Sequence, residues 1–342
     1  MTMGRAGARA VSLVSLAAAS LAVACVGRPS EVPRARGEIA TILVLPERGA
    51  AAVVADASHV YVATWHGVVR ASHAGAEVTT LYYAPLGGVS PTLVASDALR
   101  VYVVETRPCD GDASAFTGSR RVECARLVAV PKDGAPPSVI ELPPGPAPRA
   151  IAAAAGYVYF TDKRRVLRAQ PTGTAAATIV ALAEEDVQDV AAEGGRVFWV
   201  EADPSVTPAE GQLVTKDDAG VRRVVGVADA ARGPLVLAAG AIHWIGAEKV
   251  WRASVRGGAA EALGEARAKS GDAHLAADAQ GVAWTEATDA EARVALRPSS
   301  GPVARILLEG ERPTSIALAG PFAFVATVHE GAAATRVVRI TR

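Results

Sequence analysis

The chain has 342 residues, half of them apolar and a fifth charged, with 35 basic side chains against 35 acidic ones. This composition excludes a disordered chain and supplies core material for one large domain or two. A balanced charge also argues against a nucleic-acid partner, which selects for basic excess.

Arg5 and Arg9 precede an apolar run over residues 10–24. At 15 residues the run is short of the ~20 that cross a bilayer, and it reads as the core of a signal peptide over 1–24. It ends in Ala22-Val23-Ala24-Cys25. This ending resembles a bacterial lipobox, which implies lipidation of Cys25 and anchoring in the bacterial envelope, periplasmic or outer membrane. Ala22 stands where lipoboxes usually carry Leu, and Ala22-Val23-Ala24 equally satisfies the small-x-small rule of ordinary cleavage, which would give secretion. Residues 25–37, rich in Pro and Gly, read as a tether. No later apolar run is long enough to span, so a lipid is the expected membrane contact. Removing the leader leaves a net charge of −2. With Cys25 lipidated, Cys109 and Cys124 remain to form a disulfide, as an oxidising compartment favours.

From residue 38 onward one phrase recurs: HVYVAT, RVYVVE, YVYFTD, RVFWVE, AIHWIG, GVAWTE and PFAFVA. The anchors Val60, Val101, Val158, Val197, Ile242, Val282 and Phe322 are spaced by 41, 57, 39, 45, 40 and 40 residues. A four-stranded propeller blade takes ~40–50 residues. Each phrase fits strand B of a blade A-B-C-D, and glycines fit the C–D turns at Gly75, Gly134, Gly173, Gly220, Gly257 and Gly301. The seventh unit lacks strand D, and residues 38–45 form a β-like run with no unit of its own. The expectation is an all-β, seven-bladed β-propeller in one domain, 38–342, with the N-terminal strand completing the last blade. Six and eight blades are the alternatives.

The phrase V-Y/F/H-W/F-x-E/D followed by V-x-R-x-x-x-x-G, as in Val158-Tyr159-Phe160-Thr161-Asp162 with Arg168 and Gly173, resembles the YWTD-type propeller of low-density-lipoprotein-receptor ectodomains and its relatives in bacterial envelope lipoproteins. No unit spells the full motif, and YWTD propellers have six blades. The resemblance implies an architecture and a binding surface, and no reaction.

The extra residues of units two, four and six fall between strands B and C, which places them on one face of the ring. The longest insertion carries Arg107, Asp110, Asp112 and Phe116 beside the cysteine pair, and the B–C turn of unit one carries Trp65 and His66. These residues form the candidate binding face, for a protein or glycan at the envelope. A carboxylate recurs four residues after the anchor, at Glu105, Asp162, Glu201 and Glu286. Two readings are open. The carboxylates hold a metal in the central channel of a hydrolase or lyase acting on lactones or sugars, or they pair structurally, as do the recurring Arg70, Arg168, Arg252 and Arg339. The structural reading is preferred, because repeated positions in repeat proteins serve packing. Nucleophile-elbow, phosphate-loop and zinc-helix motifs are missing from the sequence, so a non-catalytic module without a cofactor is the primary expectation. The oligomeric state is left unassigned.

Overall fold

The computed structural model describes residues 37–45, 51–84, 88–108, 123–143, 147–172, 176–202, 211–217, 220–223, 231–246, 248–267, 273–288, 291–329 and 334–342. Among them there is no helix. Their 28 strands form seven four-stranded antiparallel sheets.

Blade 1 comprises Ala52–Ala55, His59–Thr64, Gly67–Ser72 and Val78–Tyr83. Blade 2 comprises Gly88–Ser96, Arg100–Pro108, Glu123–Pro131 and Ser138–Glu141; blade 3, Ile151–Ala154, Tyr157–Asp162, Arg165–Ala169 and Thr178–Leu182. Blade 4 follows with Asp186–Glu193, Arg196–Ala202, Gly211–Asp217 and Gly220–Arg223; blade 5, with Ala231–Ala238, Ala241–Gly246, Lys249–Ser254 and Glu261–Glu265. Blade 6 has Leu275–Asp278, Gly281–Ala287, Ala292–Pro298 and Ala304–Leu307. Blade 7 has Glu311–Ala319, Phe322–His329 and Thr335–Thr341, and takes Ile39–Leu45 as its outer strand. Each strand A packs against strand A of the next blade, and that of blade 7 packs against that of blade 1. The ring closes as a seven-bladed β-propeller.

The closure is a register-defined pairing. Ile39 lies opposite Ile340 and Leu45 opposite Thr335, with a bulge between Thr41 and Leu43. The bulge lets the neighbours Ile42 and Leu43 both be buried, against the ordinary alternation of a strand. Ile42, Leu43 and Leu45 share one apolar cluster with Val53, Val60 and Val62 of blade 1 and Phe324, Ala326 and Val337 of blade 7. The N-terminal strand therefore fills the interface between first and last blades besides completing a sheet. Truncating one such buried Leu or Ile to Ala costs about 2–5 kcal/mol.

The central B strands are apolar at successive positions because their two faces pack on two neighbouring blades. Trp199, Trp244, Trp284 and Phe324, two residues after their anchors, are fully buried between blades. The C–D turns use glycine for backbone geometry: Gly75 and Gly257 have φ of 74° and 93°, and each amide closes its turn onto a serine carbonyl, Ser72 or Ser254, at 2.9 Å. Gly75 has a further constraint. A Cβ there would lie 2.5 Å from the carbonyl oxygen of Ile42, on the closing strand, whereas one at Gly257 would meet nothing within 4 Å.

The A–B turns carry a device the sequence reading passed over. Asp56 Oδ1 accepts the amides of Ser58 and His59, and its Oδ2 accepts the Tyr61 hydroxyl at 2.8 Å. Asp97 repeats the pattern with Leu99, Arg100 and the Tyr102 hydroxyl at 2.6 Å. Burial and the adjoining carboxylate push both phenols well above the ordinary tyrosine range. Burial alone would raise Asp56, but its amide and phenol donors and nearby Lys132 outweigh it and hold the carboxyl well below the usual range. The signal was in the sequence as Asp followed by Tyr five residues later, once in each of the first two units.

Candidate functional site

The three insertions fall where the spacing placed them, between strands B and C. They lie between Pro108 and Glu123 in blade 2, between Ala202 and Gly211 in blade 4, and between Ala287 and Ala292 in blade 6. In an antiparallel A-B-C-D sheet the B–C and D–A connections share one end, so these loops emerge on one face of the ring. Of the candidate residues there, Asp110, Asp112, Phe116 and Cys109 lie outside the described residues, as does Cys25. Arg107 and Cys124 stand opposite each other at the end of the blade 2 hairpin.

Blade 1 supplies the aromatic part of this face. The turn Thr64-Trp65-His66-Gly67 is a two-residue reversal, with Thr64 paired to Gly67 across the ladder. Gly67 is held at φ 150°, and a Cβ there would lie 2.0 Å from the Tyr82 carbonyl oxygen, so no other residue fits. This close approach draws the end of strand D under the turn, where the Ala84 amide donates to the His66 carbonyl at 2.8 Å. Tyr83 is thereby set beside His66, the two rings parallel within 8° and 6.4 Å apart. Trp65 is 54% exposed and Tyr83 66%. The sequence pointed to Trp65 and His66. Tyr83 was missed because it lies on another strand, seventeen residues on, and only the Gly67 contact brings it near.

The recurring carboxylates are all buried and lie on four separate blades, each with local partners. Glu105 Oε2 accepts Arg126 Nε and Nη2 at 2.8 and 2.7 Å and the hydroxyl of Tyr82, from blade 1, at 2.7 Å. Burial and Glu105 push the Tyr82 phenol up to about 12. Asp162 pairs with Arg165 directly across its hairpin. Glu201 accepts the amides of Glu184 and Glu185 at 2.7 and 3.3 Å, which ties blade 4 to the connection from blade 3. Glu286 accepts Trp284 Nε1 at 3.1 Å and Arg305 Nε at 3.2 Å. Among the described residues no three His, Cys, Asp or Glu side chains come together as a metal-ligand group.

The recurring arginines do not meet this carboxylate series. Arg70 Nη1 donates to the Lys132 carbonyl at 2.8 Å, and Arg339 Nη1 to the His73 carbonyl at 3.0 Å. In each case a strand-C arginine reaches the C–D turn of the next blade, on the face opposite the insertions. Arg168 instead lies over the Tyr157 ring, 4.7 Å from its centroid. His59, His66 and His73 also separate: His59 and His73 flank one end of the blade 1 hairpin and His66 the other.

All seven inner strands line a central channel with a cavity of about 950 Å³. Two polar side chains stitch its wall. Ser315 Oγ accepts the Val53 amide at 3.0 Å, joining blades 7 and 1. Asp189, at a bulge in strand A of blade 4, accepts the Leu235 amide of blade 5 at 2.6 Å and its neighbour Val190 at 2.7 Å. Burial raises the Asp189 carboxyl to about 6, against the lowering effect of those two amides.

Comparison with known proteins shows the fold. No family model matches the chain, and no curated protein sequence matches it. Among solved structures it is similar to virginiamycin B lyase from Staphylococcus aureus, with a TM-score of 0.63 at 14% identity over 89% of this chain and 99% of that one. It is also similar to the WD40 β-propeller domain of Doa1, with a TM-score of 0.60 at 13% identity over 88% and 97% of the two chains. A chain of the nidogen/laminin complex, a YWTD-type propeller, aligns with a TM-score of 0.44 at 13% identity over 83% of this chain and 98% of that one. At these identities the likeness extends to architecture alone.

Proposed function

We propose that this chain is a non-catalytic binding module that captures a protein or glycan through its B–C face, around blades 1 and 2. The observation that carries this reading is the exposed Trp65–Tyr83 pair, held by the Gly67 turn on the face where the insertions emerge. Exposed aromatics on a rigid turn provide contact area at small entropic cost, and such residues dominate binding energy where they occur. The buried carboxylates support the same reading, since their donors are already supplied by neighbouring blades and turns. In this proposal the module is exported and tethered through a lipid on Cys25, and the insertion over 109–124 is pinned by its two cysteines.

The test is capture from an envelope extract by the mature chain and by a Trp65→Ala/Tyr83→Ala variant, with glycan arrays run in parallel. Loss of capture with an unchanged melting temperature supports the proposal; undiminished capture overturns it. Incorporation of labelled fatty acid that disappears in Cys25→Ser tests the anchor separately.

A further inference from the structure

Among the described residues, acids outnumber bases on the channel lining at the insertion face. Asp189 lines the cavity, and a carboxylate offers about four acceptor sites. Among the described residues two amides occupy part of that capacity, and no cation is paired with it. Glu248, in the B–C turn of blade 5, is an exposed second acid on the lining. The cationic lining residue among those described is Arg149, and Asp186 meets it at 3.3 Å. Gln188 directs its amide nitrogen to the Asp186 carbonyl at 3.0 Å, and His274 completes the polar rim. Below the rim the walls are aliphatic, with half-buried Leu93, Ile151, Val236 and Leu318 among them. The volume falls within the ~300–1,000 Å³ of small-molecule sites, which combine apolar walls with a few convergent polar groups. A carboxylate desolvated without a counter-charge gains most from a cation that brings its own apolar surface, because the desolvation is already in place.

We propose that the channel mouth binds a small organic ammonium ion with an apolar body, its cation held at Asp189 with Glu248 at the rim and its body against the aliphatic wall. Among the described residues the lining holds no third carboxylate to convert the pair into a divalent-metal site.

The experiment is isothermal titration of the full chain at pH 7.5 with three matched probes: hexylammonium, hexanol and hexanoate. Hexylammonium is expected to bind at least tenfold more tightly than either of the others. Asp189→Asn, which keeps an acceptor for the Leu235 amide, is expected to weaken hexylammonium at least tenfold. Glu248→Gln, at an exposed turn where folding is not at stake, is expected to weaken it severalfold, and it serves alone if Asp189→Asn does not fold. Equal binding of hexanol would overturn the proposal, as would hexylammonium affinity that survives both substitutions, or its displacement by millimolar calcium.

Discussion

Replacing Gly75 by Ala tests the ring closure against an internal control. Gly75 and Gly257 occupy the same turn, in the stretches RASHAG and RASVRG, fifteen residues after their anchors, with the same amide-to-serine hydrogen bond. An alanine at either position adopts positive φ, at about 1–2 kcal/mol. At Gly257 that is the whole cost, since the new methyl meets nothing within 4 Å. At Gly75 the methyl also lies 2.5 Å from the Ile42 carbonyl oxygen and 3.0 Å from its Cα. These are backbone atoms and cannot rotate aside, so the closing strand must shift, and strain of this kind costs a further ~1–3 kcal/mol. Equilibrium urea unfolding should therefore show Gly75→Ala destabilised by about 2–5 kcal/mol and Gly257→Ala by about 1–2. A Leu43→Ala change should add less to Gly75→Ala than to the wild type, because both loosen the same strand. Equal losses at the two glycines would refute the tight packing of residues 39–45 on blade 1, and with it the account of how the ring shuts.

Other outcomes follow from single sites. His243 is buried, and burial first, then the Arg252 charge, lower its imidazole to about 4. A depressed histidine binds fewer protons folded than unfolded, so stability should be intact above pH ~6.5 and fall by roughly 3 kcal/mol as pH drops toward 4. His243→Phe, which copies Phe198 of blade 4, should flatten that part of the pH–stability curve; an unchanged slope would assign the acid sensitivity elsewhere. Arg126→Ala leaves the fully buried Glu105 without its cation and should cost about 3–5 kcal/mol. Arg165→Ala, which removes a more exposed arginine but leaves the buried Asp162 without its partner, should cost less, about 1–3 kcal/mol, by the same denaturation assay. Gly67→Ala should abolish partner capture by displacing the Trp65 turn from Tyr82, and a variant that still captures would detach that turn from the binding face.

Much of the architecture was readable because a propeller writes its period into the chain. Seven anchors about 40 residues apart, a seventh unit without its last strand and an unclaimed run at 38–45 together called for closure by the N-terminal strand. The locations of the insertions followed from the same counting. The candidate site was legible only where its residues are neighbours in sequence, as at Trp65 and His66. Tyr83, brought in by a backbone contact at Gly67, carried no sequence signal of its own. The two charged series were visible as series, but their partners were not: Arg339 reaches His73, and Glu105 draws in Tyr82 from another blade.

The amino-acid order alone determined what is periodic and local: strands by alternation and β-branched runs, turns by glycine and aspartate, blades by repetition. The docking of blade on blade decided which buried charge meets which donor, and which polar group faces the channel. Asp189 shows the difference. Nothing in Asp-Val-Gln-Asp-Val marks its second aspartate, and the corresponding position of blade 7 is a serine. Its raised pKa exists because the Leu235 strand and the wall around it strip away water, and that environment is assembled only when blades 4 and 5 come together.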